Sequence, residues 1–127
     1  MAKKSIVKPT ANEIAILRVL WQKGEGTVRE VHDELDKEAG YTGTLKLMQI
    51  MLEKGLIKRD DSAKSHIYKA AVPKQTMQNE MVSKIIDTMF HGSASQLVMH
   101  ALGNGKTSEK ELEEIGAYLK SLKKNKS

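Results

Sequence analysis

Hydrophobic residues recur every three or four positions in successive stretches of the first 55 residues, a spacing typical of amphipathic helices. The first stretch follows Thr10 and Glu13, which have the threonine-to-glutamate spacing of a helix capping box. The second stretch follows the same spacing at Thr27 and Glu30 and runs to about Gly40. The pattern therefore predicts two amphipathic helices, each with a capped start.

The third stretch lies between Gly40 and Gly55 and predicts a helix with Thr42 as its cap. Five apolar residues spread over one broad side of this helix: Leu45, Leu47, Met48, Met51 and Leu52. Four polar residues form a stripe at i, i+4, i+7 and i+11: Thr42, Lys46, Gln49 and Glu53. Taken alone, this is an ordinary amphipathic helix with a solvated face. The hydroxyl, ammonium and amide groups can also bind phosphates or base edges.

Two short strand patterns follow, at 56–59 and 65–70, and they flank a turn at 60–64. Helices two and three, joined by a short connection at 38–41, are a helix-turn-helix candidate. Closed by a β-hairpin, the three helices form a winged helix, in which the third helix enters the major groove and the hairpin lies along the phosphate backbone. The fold class predicted is mainly α, with a winged helix-turn-helix at the N-terminus.

Pro73 ends the hairpin pattern, because proline lacks a backbone donor, and we place a domain boundary there. Residues 1–73 are then the predicted DNA-binding domain and 74–127 a predicted three-helix dimerisation domain. Its last helix starts at a third capping box, Ser108 to Glu111. The apolar positions of the three helices are Met77, Met81, Ile85, Met89, Leu97, Val98, Leu102, Leu112, Ile115, Leu119 and Leu122.

A segment of 54 residues cannot bury three apolar helical faces within itself. Pairing of two copies would bury them and present two recognition helices to the halves of a near-palindromic site. The alternative is that these helices fold back on the winged helix to make one larger monomeric domain.

The composition narrows the possible partners and compartment. The chain has 127 residues and no cysteine, which excludes disulfides and thiolate metal sites. No run of about 18 apolar residues occurs, so we expect a cytoplasmic protein without membrane insertion. The net charge of +5 is compatible with a polyanionic partner. Segment 30–38 is acidic and segment 46–59 is basic, so positive charge is concentrated around the third helix.

Candidate DNA contacts are positions on the third helix and basic or hydroxyl positions of the wing: Thr42, Gly43, Thr44, Lys46, Gln49, Ile50, Lys58, Arg59, Lys64 and Ser65. Lys46 is the leading phosphate or guanine contact among them. An N-terminal arm carrying Lys3, Lys4 and Lys8 could follow a groove, although such arms are usually just solvated.

Catalytic and metal chemistry find little support in the sequence. The four histidines, His32, His66, His91 and His100, show no helical metal-site spacing with a carboxylate partner, so packing or surface roles are favoured. No phosphate loop, nucleophile elbow or acid-base pair occurs. We therefore predict no enzyme activity and no cofactor.

From 9 to about 123 the chain resembles the penicillinase-repressor family, the BlaI/MecI/CopY type of bacterial transcriptional regulators. The similarity is most specific at 13–21, 27–31, 45–49, 51–56, 58–60, 65–66 and 68, and it continues over 92–102. The resemblance implies a dimeric repressor that binds a promoter operator. In well-known members a sensor-protease that detects β-lactams ends repression by causing cleavage in the dimerisation region.

Three departures from the family pattern limit what the resemblance implies. The paired cysteines of the copper-responsive branch are absent, which excludes copper sensing by that route. An Asn-Phe cleavage bond is matched here by His100 and Ala101, so these residues mark the possible cleavage region. Gly43 and Ile50 replace a threonine and an arginine, and isoleucine cannot make the bidentate guanine contact of arginine. The rival interpretation is a winged-helix protein-interaction module, with 47–50 as its contact.

Overall fold

The computed structural model describes residues 9–35, 40–62 and 64–126. This part of the chain contains six helices and a two-stranded antiparallel sheet: α1 Ala11–Lys23, α2 Val28–Glu34, α3 Tyr41–Lys54, β1 Ile57–Asp60, β2 Ile67–Ala70, α4 Lys74–Met89, α5 Ala94–Gly103 and α6 Glu109–Lys126. The predicted fold class, a mainly helical chain with a winged helix-turn-helix, is confirmed. Each helix within these ranges is too short or too polar to cross a lipid bilayer.

Two of the predicted capping boxes open α1 and α2. The Thr10 hydroxyl accepts from the Glu13 amide, and the Glu13 carboxylate accepts from the Thr10 amide at 2.8 Å. Thr27 and Glu30 repeat the arrangement at α2. Each box satisfies two amides that have no partner inside the helix. Both helix starts therefore follow directly from the sequence.

The start of α3 differs from its prediction. Gly40 is the N-cap in place of Thr42, and the described residues supply no side-chain cap. Thr42 lies inside the first turn, which leaves its hydroxyl free for another role. The helix ends at Gly55 in the left-handed conformation (φ 80°), which glycine adopts without steric cost. The second helix also ends earlier than predicted, at Glu34, and the connection at 36–39 lies outside the described residues.

The hairpin pairs Ile57 with Ala70 and Asp60 with Ile67 at its two ends. Its strands lie one to two residues from the predicted positions. Gly26, between α1 and α2, pairs with Tyr68 of β2 in an isolated antiparallel bridge. The Gly26 amide donates to the Tyr68 carbonyl at 3.0 Å, and the Tyr68 amide donates to the Gly26 carbonyl at 2.8 Å. The wing is thereby tied to the helical layer through the backbone.

One core fills the space between the first three helices and the hairpin. Its buried side chains are Ile16, Leu17, Leu20, Val28, Val31, Met48, Met51, Leu56, Ile57, Tyr68 and Met77. At its edge the Trp21 indole N–H donates to the Val72 carbonyl at 2.8 Å, which satisfies a partly buried polar group. This core holds α3 with one side inward and its other side in solvent.

The described residues form two compact units, the first up to Val82 and the second from Ser83. Met77 is 2% exposed and belongs to the core of the first unit, and Met81 packs against that core. The prediction that Met77 is a dimerisation residue is therefore wrong, because its side chain is already covered within its own chain. A domain boundary at Pro73 between separately folding parts stays a prediction.

The second unit has no buried side chain among its described residues. Its third capping box is present, with the Ser108 hydroxyl accepting from the Glu111 amide at 3.1 Å. Its large apolar side chains are substantially exposed, including Ile85, Met89, Val98, Met99, Leu112, Leu119 and Leu122. The apolar side of α6 is therefore not buried within one chain.

Candidate DNA-binding surface

The junction of α2 and α3 is built from four side chains. His32 Nδ1 lies 2.8 Å from the Thr44 hydroxyl oxygen, and both side chains are buried. The Tyr41 ring meets the His32 ring edge to face at 5.8 Å between centroids. The Arg29 guanidinium lies 4.1 Å from the Tyr41 ring centroid, a cation-π contact. These contacts fix the orientation of α3 on α2.

Thr44 must be removed from the candidate DNA contacts. Its side chain is 4% exposed and faces His32, because it lies on the inner side of α3 with Met48 and Met51. The prediction treated every polar residue near the start of the helix as outward. The apolar partners at i+4 and i+7 were the available signal that Thr44 lies on the inner side.

The predicted polar stripe is exposed along α3. Thr42, Lys46, Gln49 and Glu53 all have solvent-exposed side chains. Gly43 and Ile50 flank the stripe, and Ile50 is 37% exposed. Lys46 has no ion pair or hydrogen bond within the described ranges. Its ammonium is therefore available to an anion without the loss of an internal partner.

Lys54, at the end of α3, anchors the helix instead of extending the stripe. Its ammonium lies 2.9 and 3.1 Å from the two Glu13 carboxylate oxygens on α1. Burial raises the pKa of Glu13, but hydrogen bonds from the Thr10 amide and Lys54 outweigh it and hold that pKa below its ordinary value. Glu13 therefore has two roles: it accepts the capping-box hydrogen bond of α1 and forms an ion pair with Lys54 of α3. Its position in the capping box predicted only the first role.

The wing separates its predicted phosphate contacts. Lys58 is opposite Lys69 in the strand register, whereas Arg59 is opposite Tyr68. Because side chains alternate along a strand, Lys58 and Arg59 lie on opposite faces of the hairpin. Lys69 lies 3.5 Å from Glu25, and Lys58 has no ion pair within the described residues.

Arg59 is held within the wing. Its Nε lies 2.7 Å from Asp61 Oδ1, which is also 2.7 Å from His66 Nδ1. Hydrogen bonding with Tyr68, and then with Asp61, raises the pKa of Arg59. A phosphate would have to compete with Asp61 for this guanidinium, so Lys58 is the better candidate.

The turn between the strands carries further charge. The Ser62 amide donates to Asp60 at 2.9 Å and lowers the pKa of that carboxyl. Lys64 and Ser65 are exposed after this turn, while Ala63 and the arm with Lys3, Lys4 and Lys8 lie outside the described residues. The turn thus offers Lys64 to a backbone phosphate beside two carboxylates.

No metal site accompanies these groups: within the described ranges, no three His, Cys, Asp or Glu side chains are placed to hold an ion.

His100 and Ala101, the predicted cleavage region, lie exposed on α5. His100 Nδ1 is 2.9 Å from the Gln96 carbonyl oxygen, and the centroid of its ring lies 5.2 Å from that of Phe90.

Comparison with known proteins identifies the family. The sequence model of the penicillinase repressor family matches residues 9–121. The chain belongs to this family and is a DNA-binding transcriptional repressor. The members of this family are regulators of transcription, not enzymes. No curated protein sequence matches the chain significantly.

Two solved structures are similar to nearly the whole chain. Lactococcus lactis ZitR, wild type in complex with DNA, is 19% identical, with a TM-score of 0.43 over 98% of this chain and 80% of that one. A substituted form of the same ZitR is 21% identical, with a TM-score of 0.46 over 95% of this chain and 77% of that one.

Proposed function

We propose that this member of the penicillinase repressor family binds a near-palindromic operator as a homodimer, with α3 of each copy in the major groove. Thr42, Lys46 and Gln49 contact bases or adjacent phosphates, and Lys58 and Lys64 contact the backbone from the wing. Repression follows because a dimer on a promoter blocks transcription.

The observation that carries the proposal is the contrast between the two sides of α3. The inner side is fixed by Thr44, Met48 and Met51, and the outer side presents a hydroxyl, an ammonium and an amide to solvent. A rigid helix with exposed donors can hold them at a fixed register on a duplex. Lys46 is at the centre of this stripe and is free to bind.

The open apolar side chains of the second unit support pairing. Leu112 and Leu119 are 45% and 48% exposed in the single chain, which is costly unless another surface covers them. Two joined reading helices bind far more tightly than one, because the second half-site is reached at a high effective concentration.

The test compares Lys46→Ala with Lys110→Ala, which removes another exposed lysine, from α6. Using a duplex selected by the wild-type chain, Lys46→Ala should cost about 1–3 kcal/mol of binding free energy, whereas Lys110→Ala should leave it unchanged. Affinity should fall steeply with salt. Unchanged DNA affinity together with loss of a protein partner would favour an interaction module and overturn the proposal.

We propose further that loss of pairing ends repression, with proteolysis at His100 and Ala101 as the route. Both residues are exposed, and a cut there separates α6 from the reading helix in sequence. A recognition sequence for a site-specific protease can replace 98–102. Cleavage should release the chain from its duplex, and retention at unchanged affinity would exclude this route.

A further inference from the structure

The last helix, α6, has its charges divided along its length. Its first half carries all four of its acids, Glu109, Glu111, Glu113 and Glu114, with one lysine, Lys110, and its second half carries four lysines, Lys120, Lys123, Lys124 and Lys126. This order agrees with the helix dipole. It also makes one end of the helix complementary to the other end of a second copy.

The apolar residues of α6 repeat with coiled-coil spacing. Leu112, Ile115, Leu119 and Leu122 are separated by three, four and three residues, which places them at a, d, a and d of two heptads. Leu112, Leu119 and Leu122 are each 40% exposed or more in the single chain. The helix therefore presents an open coiled-coil seam.

We propose that α6 pairs antiparallel with α6 of a second copy along this seam. This rests on the proposed homodimer and assigns its interface. The four seam residues are symmetric in sequence about residue 117, so reversal of the helix places Leu112 against Leu122 of the second copy and Ile115 against Leu119. A parallel pair would instead place acids beside acids and lysines beside lysines.

The residues on one side of the seam are symmetric about residue 116, one residue from the centre of the seam itself. Glu109, Gly116 and Lys123 are seven residues apart and occupy successive e positions. In the antiparallel register Glu109 of each copy faces Lys123 of the other, which gives two ion pairs for each dimer. Gly116 of each copy lies beside Gly116 of the other, each one residue from the centre of the seam, where the absence of a Cβ on either helix lets the backbones approach closely.

Gly116 has no explanation within the described part of a single chain. A Cβ built there meets none of its atoms within 4 Å, so a larger residue fits. Glycine also lowers helix propensity relative to alanine in the middle of a helix. A close crossing of two helices at this position supplies the missing reason.

The first test reverses the flanking charges in the full chain and measures the dimer dissociation constant by sedimentation at low salt. Glu109→Lys or Lys123→Glu turns two attractions into two repulsions, which should weaken pairing about tenfold. The double variant restores the pairs with inverted sign, so its dissociation constant should return to within about twofold of wild type. The matched control, Glu113→Lys with Lys120→Glu singly and together, changes the same charges at outward b positions and should have little effect.

The second test fixes the direction of the helices, because the chain has no cysteine of its own. Residues 112 and 122 of one helix are about 15 Å apart along its axis, too far for a disulfide within the chain. Under oxidation the double variant Leu112→Cys with Leu122→Cys should form a covalent dimer, and each single variant should not. A covalent dimer from Leu112→Cys alone would show a parallel pair and overturn the proposal.

The outcomes separate this inference from the proposed function. A wild-type dimer that is insensitive to both Glu109→Lys and Lys123→Glu would refute the α6 pairing and leave the homodimeric repressor intact. A chain that stays monomeric at high concentration, on and off DNA, would refute both.

Discussion

The first unit buries its apolar side chains, and the second leaves most of its own in solvent. Leu17 and Met48 have no exposed surface, whereas Met99 and Leu119 are 67% and 48% exposed. At about 25 cal/mol for each Å² of apolar surface removed from water, the first unit has its stabilisation within one chain. The second unit reaches comparable burial only against another surface. We infer that stability and self-association are assigned to different parts of this small protein.

The polar groups of the first unit complete this contrast. Among the described residues of this unit, three polar or charged side chains are buried, Glu13, His32 and Thr44, and each has a hydrogen-bond partner. A buried polar group costs free energy unless it is paired, so these pairs also specify a single arrangement of α1, α2 and α3.

The largest effect should come from truncation in the first core. Leu17→Ala should lower the free energy of unfolding by about 3 kcal/mol, since it leaves a cavity in a closed core. Urea denaturation should show the same loss at every protein concentration. Leu119→Ala is the counterpart in the second unit, and its loss should grow with concentration because it acts through pairing. If the loss of unfolding free energy were independent of protein concentration in both variants, the second unit would not depend on pairing for its stability.

Glu13→Ala should cost about 2 kcal/mol of unfolding free energy, because it removes one of the two hydrogen bonds of the α1 capping box and leaves Lys54 without its carboxylate. Glu30→Ala removes the same capping-box hydrogen bond from α2 without breaking an ion pair, so its effect should be smaller. Equal effects in thermal melts would show that the Lys54 contact contributes nothing.

The Glu13 pair should also make stability depend on pH. The folded-state pKa of Glu13 lies below its unfolded value of about 4.5, so its contribution is complete above that pH and is lost as pH falls through the folded pKa. Glu13→Gln should therefore reduce the acid sensitivity of unfolding below about pH 4.5. An unchanged acid transition would contradict the direction of this pKa shift.

Thr44→Val should cost about 1.5 kcal/mol, because it leaves His32 Nδ1 buried without its partner while the side-chain volume is conserved. Thr42→Val makes the same change on the outer side of α3. It should leave the unfolding free energy unchanged and weaken binding to a selected duplex. If Thr42→Val lowered the unfolding free energy and Thr44→Val weakened binding to the duplex, the assignment of the inner and outer sides of α3 would be wrong.

The smallest effect concerns the missing cap of α3. Gly40 has extended φ and ψ, and a Cβ there meets no atom of the described residues within 4 Å. Gly40→Ser should therefore add a side-chain cap and raise stability by a few tenths of a kcal/mol, at about the precision of a thermal melt. A clear loss of stability would show that glycine is required at this position.

The local features of the fold were predictable from the sequence. The capping boxes at Thr10 and Thr27, and the glycine that ends α3, depend only on residues within one turn, so the pattern contains all the required information. The hairpin was predicted to within two residues for the same reason. The prediction that Thr42 caps α3 was wrong, because the same residues are also compatible with Gly40 as the N-cap.

The long-range pairings could not be predicted in this way. The Glu13–Lys54 ion pair joins residues 41 apart, and Gly26 bridges Tyr68 across the whole helix-turn-helix. The inward position of Thr44 was signalled by Met48 and Met51 at i+4 and i+7, but its hydrogen-bond partner His32 lies on another helix and was not signalled. On the candidate surface, the exposure of Lys46 and Gln49 followed from helical periodicity. The ion pair between Arg59 and Asp61 could not be predicted, because it depends on the geometry of the turn.

Selection of duplexes from a random pool by the full chain tests the central claim most directly, because it reports reading and pairing together. The enriched sequences should form an inverted repeat whose half-sites lie about one helical turn, or a multiple of it, apart from centre to centre. Lys46→Ala should change or abolish the enrichment, and Lys110→Ala should not. Enrichment of a single unpaired half-site, or none above the starting pool, would contradict a homodimer that reads DNA through α3.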